Sequence, residues 1–294
     1  MKYSVVLGGM GTIGTQMCRR LKEEGHYVRC VDIKYNEWIP VEADEVMIGD
    51  LRDIEFMRKA LHLSGNRWTY IFGLMAFMGG ASTIFSKRFD SQIMYDSAQM
   101  NLNLAKTATE IGVGKVLFSS SACCYPESIQ MDDDNLTSLS ENMAWGESTN
   151  TCGRPDSVYG IEKLFSENLY DSFRRNEGLD IRICRFHNVF STHAVYDGGR
   201  EKYPSSLCRK ISKAESGDSI EIWGDGKQVR SFLWVDEAIT AVLKLMDSDF
   251  VQPLNIGSDY PISINDLAKM VIEFSGKDIK IKNVESDVVG VRGR

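Results

Sequence analysis

No apolar run in the 294 residues approaches the roughly 18–20 that a bilayer span needs. Proline is scarce, at 6 residues, and no Pro/Gly/Ser-rich linker separates one half of the chain from the other. Positive charge is in deficit: 34 Lys and Arg stand against 41 Asp and Glu, a formal net charge of −7, which argues against a nucleic-acid partner. It leaves room for an anionic small ligand in a locally basic pocket. The 7 cysteines are odd in number and scattered, without the paired spacing of a disulfide framework or a structural metal site. We therefore expect no metal, and reduced thiols in a cytoplasm. Met1-Lys2-Tyr3-Ser4 runs straight into a strand-like Val5-Val6-Leu7, with no apolar signal segment before it. There is no internal repeat and no low-complexity tract.

What is present is a 43% hydrophobic chain in which short apolar runs alternate with longer amphipathic ones. That alternation is the mark of βαβ units on a parallel sheet. The pattern predicts strands at about 3–7, 27–32, 45–48, 69–75, 115–120 and 181–187. It predicts helices near 12–24, 53–62, 87–111 and 156–177. After about residue 190 the pattern loosens into a smaller set: helices at 201–215, 235–247 and 263–275, and strands at 219–223 and 252–256. The fold class is α/β, a Rossmann-like doubly wound parallel sheet over residues 1–188. Residues 189–294 form mainly a smaller substrate lobe, interleaved with the first domain for want of a linker.

Gly8-Gly9-Met10-Gly11-Thr12-Ile13-Gly14 sits between the first strand and the first helix. Glycines at Gly8, Gly11 and Gly14 allow a tight turn and let a pyrophosphate approach the helix N-terminus at Thr12 and Ile13. Asp32 ends the second strand, where an acid binds ribose hydroxyls and repels a 2′-phosphate, so NAD is favoured over NADP despite nearby Lys34. Asp50 and Leu51 follow the third strand, within reach of an adenine. Asp50 is equally well placed to cap the helix expected at 53–62.

Tyr159-Gly160-Ile161-Glu162-Lys163 puts a phenol and an ammonium four residues apart on one helical face. An ammonium near a phenol is expected to lower its pKa toward neutrality and fit it for proton transfer beside a nicotinamide. With Ser119-Ser120-Ser121 upstream, these motifs resemble the extended short-chain dehydrogenase/reductase family, whose members act mostly on nucleotide-sugars. The resemblance implies that Ser121 joins Tyr159 and Lys163, and that the family's usual Asn in the fourth helix is here Asp96.

Two further features are less common. Ser121-Ala122-Cys123-Cys124-Tyr125-Pro126 places a thiol where the sugar is expected, and a thiol can be tuned into a base. Cys124 is the candidate for plain burial, since strand alternation sends it to the other face. Lys202, Lys210, Arg230 and Arg294 are cations that can converge on a diphosphate. Together with Glu24 to Val28, Met78-Gly79-Gly80, Ile93-Met94-Tyr95, Arg185 to Asn188, Gly198 to Lys202, Trp223 to Phe232, Asn255 to Asp259 and Gly290 to Arg294, these strings resemble the GDP-mannose 3,5-epimerases. That resemblance implies Cys123 and Lys202 as an acid/base pair and Tyr159, Lys163 and Ser121 as a redox group. It implies substrate contacts from Gly79, Asn188, Glu201, Lys202, Lys210, Gln228, Arg230 and Arg294. It also implies a homodimer through the helices near 87–111 and 156–177, packed as a four-helix bundle.

Departures from that family stand at 145–157, with an extra Cys152, at Ser191-Thr192-His193-Ala194, and at Ala81 to Phe85. The family continues past its Val-Arg-Gly-Arg string. The expected function is therefore a nucleotide-sugar epimerase that oxidises carbon 4 transiently with bound NAD and exchanges protons at carbons 3 and 5. The alternatives are a 4-epimerase or carbon-4 dehydrogenase, and an NAD-binding sensor or scaffold.

Overall fold

The computed structural model describes residues 1–36, 38–131, 139–145, 154–286, 288 and 290–294. Cys152 and most of the 145–157 insertion lie outside the described residues. The first half runs β1 (Tyr3–Leu7), α1 (Thr12–Glu23), β2 (Tyr27–Asp32), β3 (Glu45–Ile48), α2 (Ile54–Leu61), β4 (Tyr70–Gly73), α3 (Ala81–Ile84), α4 (Asp90–Ile111) and β5 (Lys115–Ser121). There follow α5 (Val158–Glu177), β6 (Asp180–Phe186), β7 (Val189–Phe190), α6 (Tyr203–Lys213), β8 (Ser219–Trp223), β9 (Val229–Ser231) and β10 (Leu233–Trp234). The last elements are α7 (Val235–Asp247), β11 (Leu254–Ile256), β12 (Pro261–Ser263), α8 (Ile264–Ser275) and β13 (Lys280–Val284).

Seven strands form one parallel sheet in the order β11-β6-β5-β4-β1-β2-β3. The strand order reverses between β1 and β4, which opens a crevice at their carboxyl ends. Strands buried on both faces need continuous apolar sequence, and Val5-Val6-Leu7 and Ile71-Phe72 supply it at 0% exposure. One face is covered by α1 and α7, which contribute Met17, Leu21, Ile239 and Val242. The other is covered by α2, α4 and α5, with Met57, Leu104, Ala108 and Tyr170. Helices α4 and α5 end on Gly112 and Gly178 in the left-handed region, φ 65° and 71°, a conformation glycine adopts without a Cβ penalty.

The chain returns late to the main sheet. β11 pairs with β6, and Arg19 of α1 bonds Asp236 of α7 at 3.0 Å. Before and after these returns, α6 and β8, then α8 and β13, close a separate small core around Leu207, Ile211, Ile222 and Ala268. The sequence pattern does not anticipate β7, β9, β10 and β12, which are two or three residues long and too short to carry a period. It also passes over β13, whose partner β8 lies sixty residues earlier. Asp53, not Asp50, caps α2: it sits one residue before Ile54 in extended backbone and accepts from Glu55 N at 2.9 Å. Among the described residues no helix is long and apolar enough to cross a membrane, and no cluster of His, Cys, Asp and Glu could hold a metal.

Candidate active site

The Gly-rich turn lies at the sheet's reversal point. A Cβ on Gly14 would stand 2.3 Å from the Gly8 carbonyl, so only glycine lets α1 start this close to β1. Gly11 is the N-cap of α1 and supplies no side-chain cap, and a Cβ there would touch only the Gly8 carbonyl, at 3.3 Å. The helix end is thus open to an anion, with Thr12 and Ile13 in its first turn. Asp32 fastens this turn to β2: its Oδ2 accepts from Met10 N at 2.9 Å and its Oδ1 from Ile33 N at 2.7 Å. A carboxylate has about four acceptor positions, so capacity remains for ribose hydroxyls. Asp50 is clasped by Arg52, which reaches Asp96 on α4 at 2.8 Å. Asn103 lies two turns further along α4. It donates to the Leu51 and Arg52 carbonyls at 3.0 and 2.9 Å and fixes that turn.

β5 delivers Ser121 to the same crevice, and α5 delivers Tyr159 and Lys163. After Ser121 the chain leaves the strand in a 3₁₀ turn, Ala122–Cys124, with Ser121 Oγ accepting from Cys123 N at 3.2 Å. This turn, rather than strand alternation, separates the two thiols. Cys123 packs with Ile84, Ile93 and Tyr159, whereas Cys124 packs with Tyr125 and Ala144 behind it. Gly160 is the reason the turn and α5 can touch. A Cβ there would lie 1.9 Å from the Cys123 carbonyl oxygen. The Ser121 side chain favours the ionised form of both Cys123 and Tyr159.

Three cations meet the thiol. Lys202 at the N-cap of α6, Arg230 on β9 and Arg294 all act on Cys123 or are acted on by it. Lys202 arrives because Gly80 lets the backbone at Glu201 approach: a Cβ on Gly80 would be 2.2 Å from the Glu201 carbonyl. Arg294 arrives because the chain from Arg292 to Arg294 pairs beside β9, with Val229 N donating to Arg292 O at 2.8 Å and Ser231 N to Arg294 O at 3.2 Å. Arg230 secures this strap through the Val291 carbonyl at 2.7 Å. Burial, reinforced by Arg294, pulls Arg230 down to about 9. Burial likewise lowers the Lys202 ammonium and raises the Cys123 thiol, the latter opposed by Arg294.

Lys210 does not join them. It lies two turns along α6, roughly 12 Å from Lys202 at 1.5 Å per residue, and donates to the Glu221 carbonyl at 2.7 Å. Glu201 is turned toward Arg209 at 2.7 Å. Gln228 is buried near the strap, with Oε1 making no hydrogen bond among the described residues. Asn188 holds a positive φ of 40° and donates to the Ser231 carbonyl at 2.9 Å. Gly79 packs on Thr83 at the start of α3.

One electrostatic expectation fails. The Tyr159 phenol is raised well above its ordinary value, by burial first and then by Cys123 and Glu162, with Arg294 and Ser121 opposing. Lys163 does not offset this, because its Nζ lies 5.4 Å from the centre of the tyrosine ring, over its face, and 4.9 Å from the centre of the Phe118 ring. Nζ is fully buried, 3.8 Å from Glu162 Oε2, and makes no hydrogen bond among the described residues. A buried ammonium without a hydrogen-bond partner among the described residues suits the hydroxyls of a dinucleotide's ribose. Together with the Gly-rich turn it fits NAD.

These features agree with what the chain resembles. Residues 4–257 match the NAD dependent epimerase/dehydratase family. The chain belongs to that family. Its NAD-dependent epimerase/dehydratase relatives include GDP-mannose 3,5-epimerase of Arabidopsis thaliana, 39% identical over 296 residues, covering 100% of this chain and 74% of that protein. A GDP-mannose 3,5-epimerase of Oryza sativa subsp. japonica is 38% identical, covering 98% of this chain and 72% of that protein. Among solved structures, UDP-glucose 4-epimerase of Thermotoga maritima with UDP-glucose superposes with a TM-score of 0.84 at 25% identity, covering 99% of this chain and 88% of that one. The expected kinship and the Rossmann-like fold are both borne out, and NAD is the cofactor of this family of epimerases.

Two features of the site escaped the sequence reading. Asp156, just before α5, bonds Arg294 Nη1. Nothing in Pro155-Asp156-Ser157 distinguishes it from an ordinary helix cap. Arg185, noted only as part of a string, makes a fully buried two-point pair with Glu167, Nε to Oε1 at 2.9 Å and Nη2 to Oε2 at 2.7 Å.

Proposed function

We propose that this chain is a GDP-mannose 3,5-epimerase that acts by transient oxidation at sugar carbon 4. The observation that carries this reading is the presence of two acid–base groups at one buried place: Tyr159, favoured as phenolate by Ser121, and, packed with it, Cys123, whose charge acts on the buried Lys202. A carbon-4 epimerase or dehydrogenase needs only the first.

When bound, NAD takes hydride from carbon 4 and later returns it, and in its oxidised form it carries a positive charge into the site. Gly11, Thr12 and Ile13 receive its pyrophosphate, Asp32 its adenosine ribose, Asp50 and Leu51 its adenine, and Lys163 its nicotinamide ribose. The Tyr159 phenolate, favoured by Ser121 and by the positive charge that oxidised NAD would bring, accepts the proton of the carbon-4 hydroxyl and becomes the phenol. A ketone at carbon 4 acidifies the hydrogens on carbons 3 and 5. The Cys123 thiolate removes one of them, and the Ser121 and Tyr159 hydroxyls hydrogen-bond the enolate oxygen that forms. The Lys202 ammonium donates a proton to the opposite face of that carbon, which inverts it. Exchange with solvent returns the pair to thiolate and ammonium, and repetition at the second carbon inverts both. Arg230 and Arg294 supply positive charge for the diphosphate, with Asn188, Gln228, Gly79 and Glu201 bordering the sugar.

We also propose a cytoplasmic homodimer. Helices α4 and α5 pack side by side and leave Tyr95, Leu102 and Phe165 exposed, a surface suited to a second copy.

A panel of nucleotide-sugars tests the substrate. GDP-mannose is expected to yield products inverted at carbons 3 and 5 by NMR, with UDP-glucose unchanged. Conversion of UDP-glucose to its 4-epimer, with GDP-mannose untouched, overturns the proposal.

A further inference from the structure

Among the described residues, the titratable groups that act with the Cys123 thiol come from several segments. Arg294 approaches from the strap beside β9, Arg230 from β9 itself, Lys202 from the start of α6, Tyr159 from α5, and Asp156 from the turn that leads into α5. Three are cations, and Asp156 is the carboxylate among them. Its side chain is 1% exposed and that of Arg294 9%. Arg294 Nη1 donates to Asp156 Oδ2, and the charge of the same guanidinium favours the Cys123 thiolate.

Both partners are anchored. Asp156 Oδ1 accepts from Ser157 Oγ at 2.7 Å, and Ser157 Oγ in turn caps α5 by accepting from Gly160 N at 3.2 Å. The Arg294 backbone is paired to β9 through Ser231 N and Val229 O. Arg294 and Arg230 repel each other, and that repulsion adds to the burial that lowers Arg230. A flexible arginine in a pocket of like charge needs an opposite charge to hold it at one place.

We propose that Asp156 is a positioning residue for Cys123: its carboxylate holds the Arg294 guanidinium against the thiol and so governs how readily the thiol gives up its proton. The negative charge of Asp156 disfavours the thiolate, while the arginine it holds favours the thiolate more strongly. Removing the hold and removing the charge therefore act in opposite directions. The consequence for catalysis rests on the epimerase reading, but the ionisation of the thiol does not.

The test is the ultraviolet absorbance of the thiolate against pH, taken as the difference between each protein and its Cys123→Ala counterpart. In Asp156→Ala, Arg294 is released, and the midpoint is expected to rise by about one unit, a tenfold loss of thiolate at a given pH. Arg294→Gln is expected to raise it in the same way. Asp156→Asn still accepts from Nη1 but carries no charge, so its midpoint is expected to fall. In the Arg294→Gln background, Asp156→Ala is expected to raise the midpoint no further. The proposal is overturned if Asp156→Asn and Arg294→Gln move the midpoint the same way, or if Asp156→Ala raises it without Arg294. Failure of the epimerase reading would show instead as absence of proton exchange in the sugar, with these titrations unaffected.

Discussion

Replacing Cys123 by serine is expected to slow inversion at carbons 3 and 5 by about 10²–10⁴-fold, while oxidation at carbon 4 survives. Cys123 is 4% exposed, packed with Tyr159 and Ile84, and Ser121 and Arg294 both favour its thiolate. Serine fills nearly the same space. What it loses is acidity: burial raises the Cys123 thiol, and a serine hydroxyl starts from far weaker acidity than a thiol. Tyr159, Lys163 and Ser121 are untouched, so addition of GDP-mannose should still produce a transient NADH absorbance in the variant. Product formation, followed by NMR, should fall to the stated level. Equal loss of NADH signal and product would show that Cys123 supports the whole site rather than the proton transfers alone.

The second large effect is on stability. Glu167→Ala is expected to cost about 3–5 kcal/mol, because it strands a buried arginine. Arg185 is 0% and Glu167 1% exposed. Burial alone works against the Arg185 charge, yet the Glu167 hydrogen bonds hold it above its ordinary value. The pair also organises the site: Ser120 Oγ donates to Glu167 Oε1, and Arg185 Nη1 reaches Tyr125 Oη at 3.2 Å and the Glu141 carbonyl at 2.7 Å. Ser120 precedes Ser121, and Tyr125 follows the Cys123 turn, so strand, turn and helix are tied at one point. Urea unfolding should show a lower midpoint with the slope retained. Arg185→Met with Glu167→Leu, which removes both charges together, should regain most of the loss. A cost below about 1 kcal/mol for Glu167→Ala contradicts this account.

Much of the fold is legible in the sequence where local chemistry decides it. Val5-Val6-Leu7, the glycines of the first turn, and Gly112 and Gly178 at helix ends state β1, the turn and the ends of α4 and α5 within a residue or so of where they lie. The candidate site is legible in its parts, since Tyr159, Ser121, Cys123, Lys202, Arg230 and Arg294 come together. What the sequence does not state is what long-range packing decides. Asp156 meets Arg294 across 138 positions, and no local pattern marks such a pair. The exit of β5 into a 3₁₀ turn depends on α5 pressing Gly160 against Cys123. Helical spacing brings Lys163 to the face of Tyr159 but not its ammonium to the phenol oxygen, so spacing alone misjudges the sign of the tyrosine's shift.

The central claim is that Cys123 and Lys202 exchange protons with carbons 3 and 5. Wild-type protein with bound NAD, incubated with GDP-mannose in deuterated water, should place solvent deuterium at both carbons, and at neither in Cys123→Ser, as read by NMR and mass spectrometry. Turnover of GDP-mannose by the wild type with no deuterium at carbon 3 or carbon 5 would contradict it.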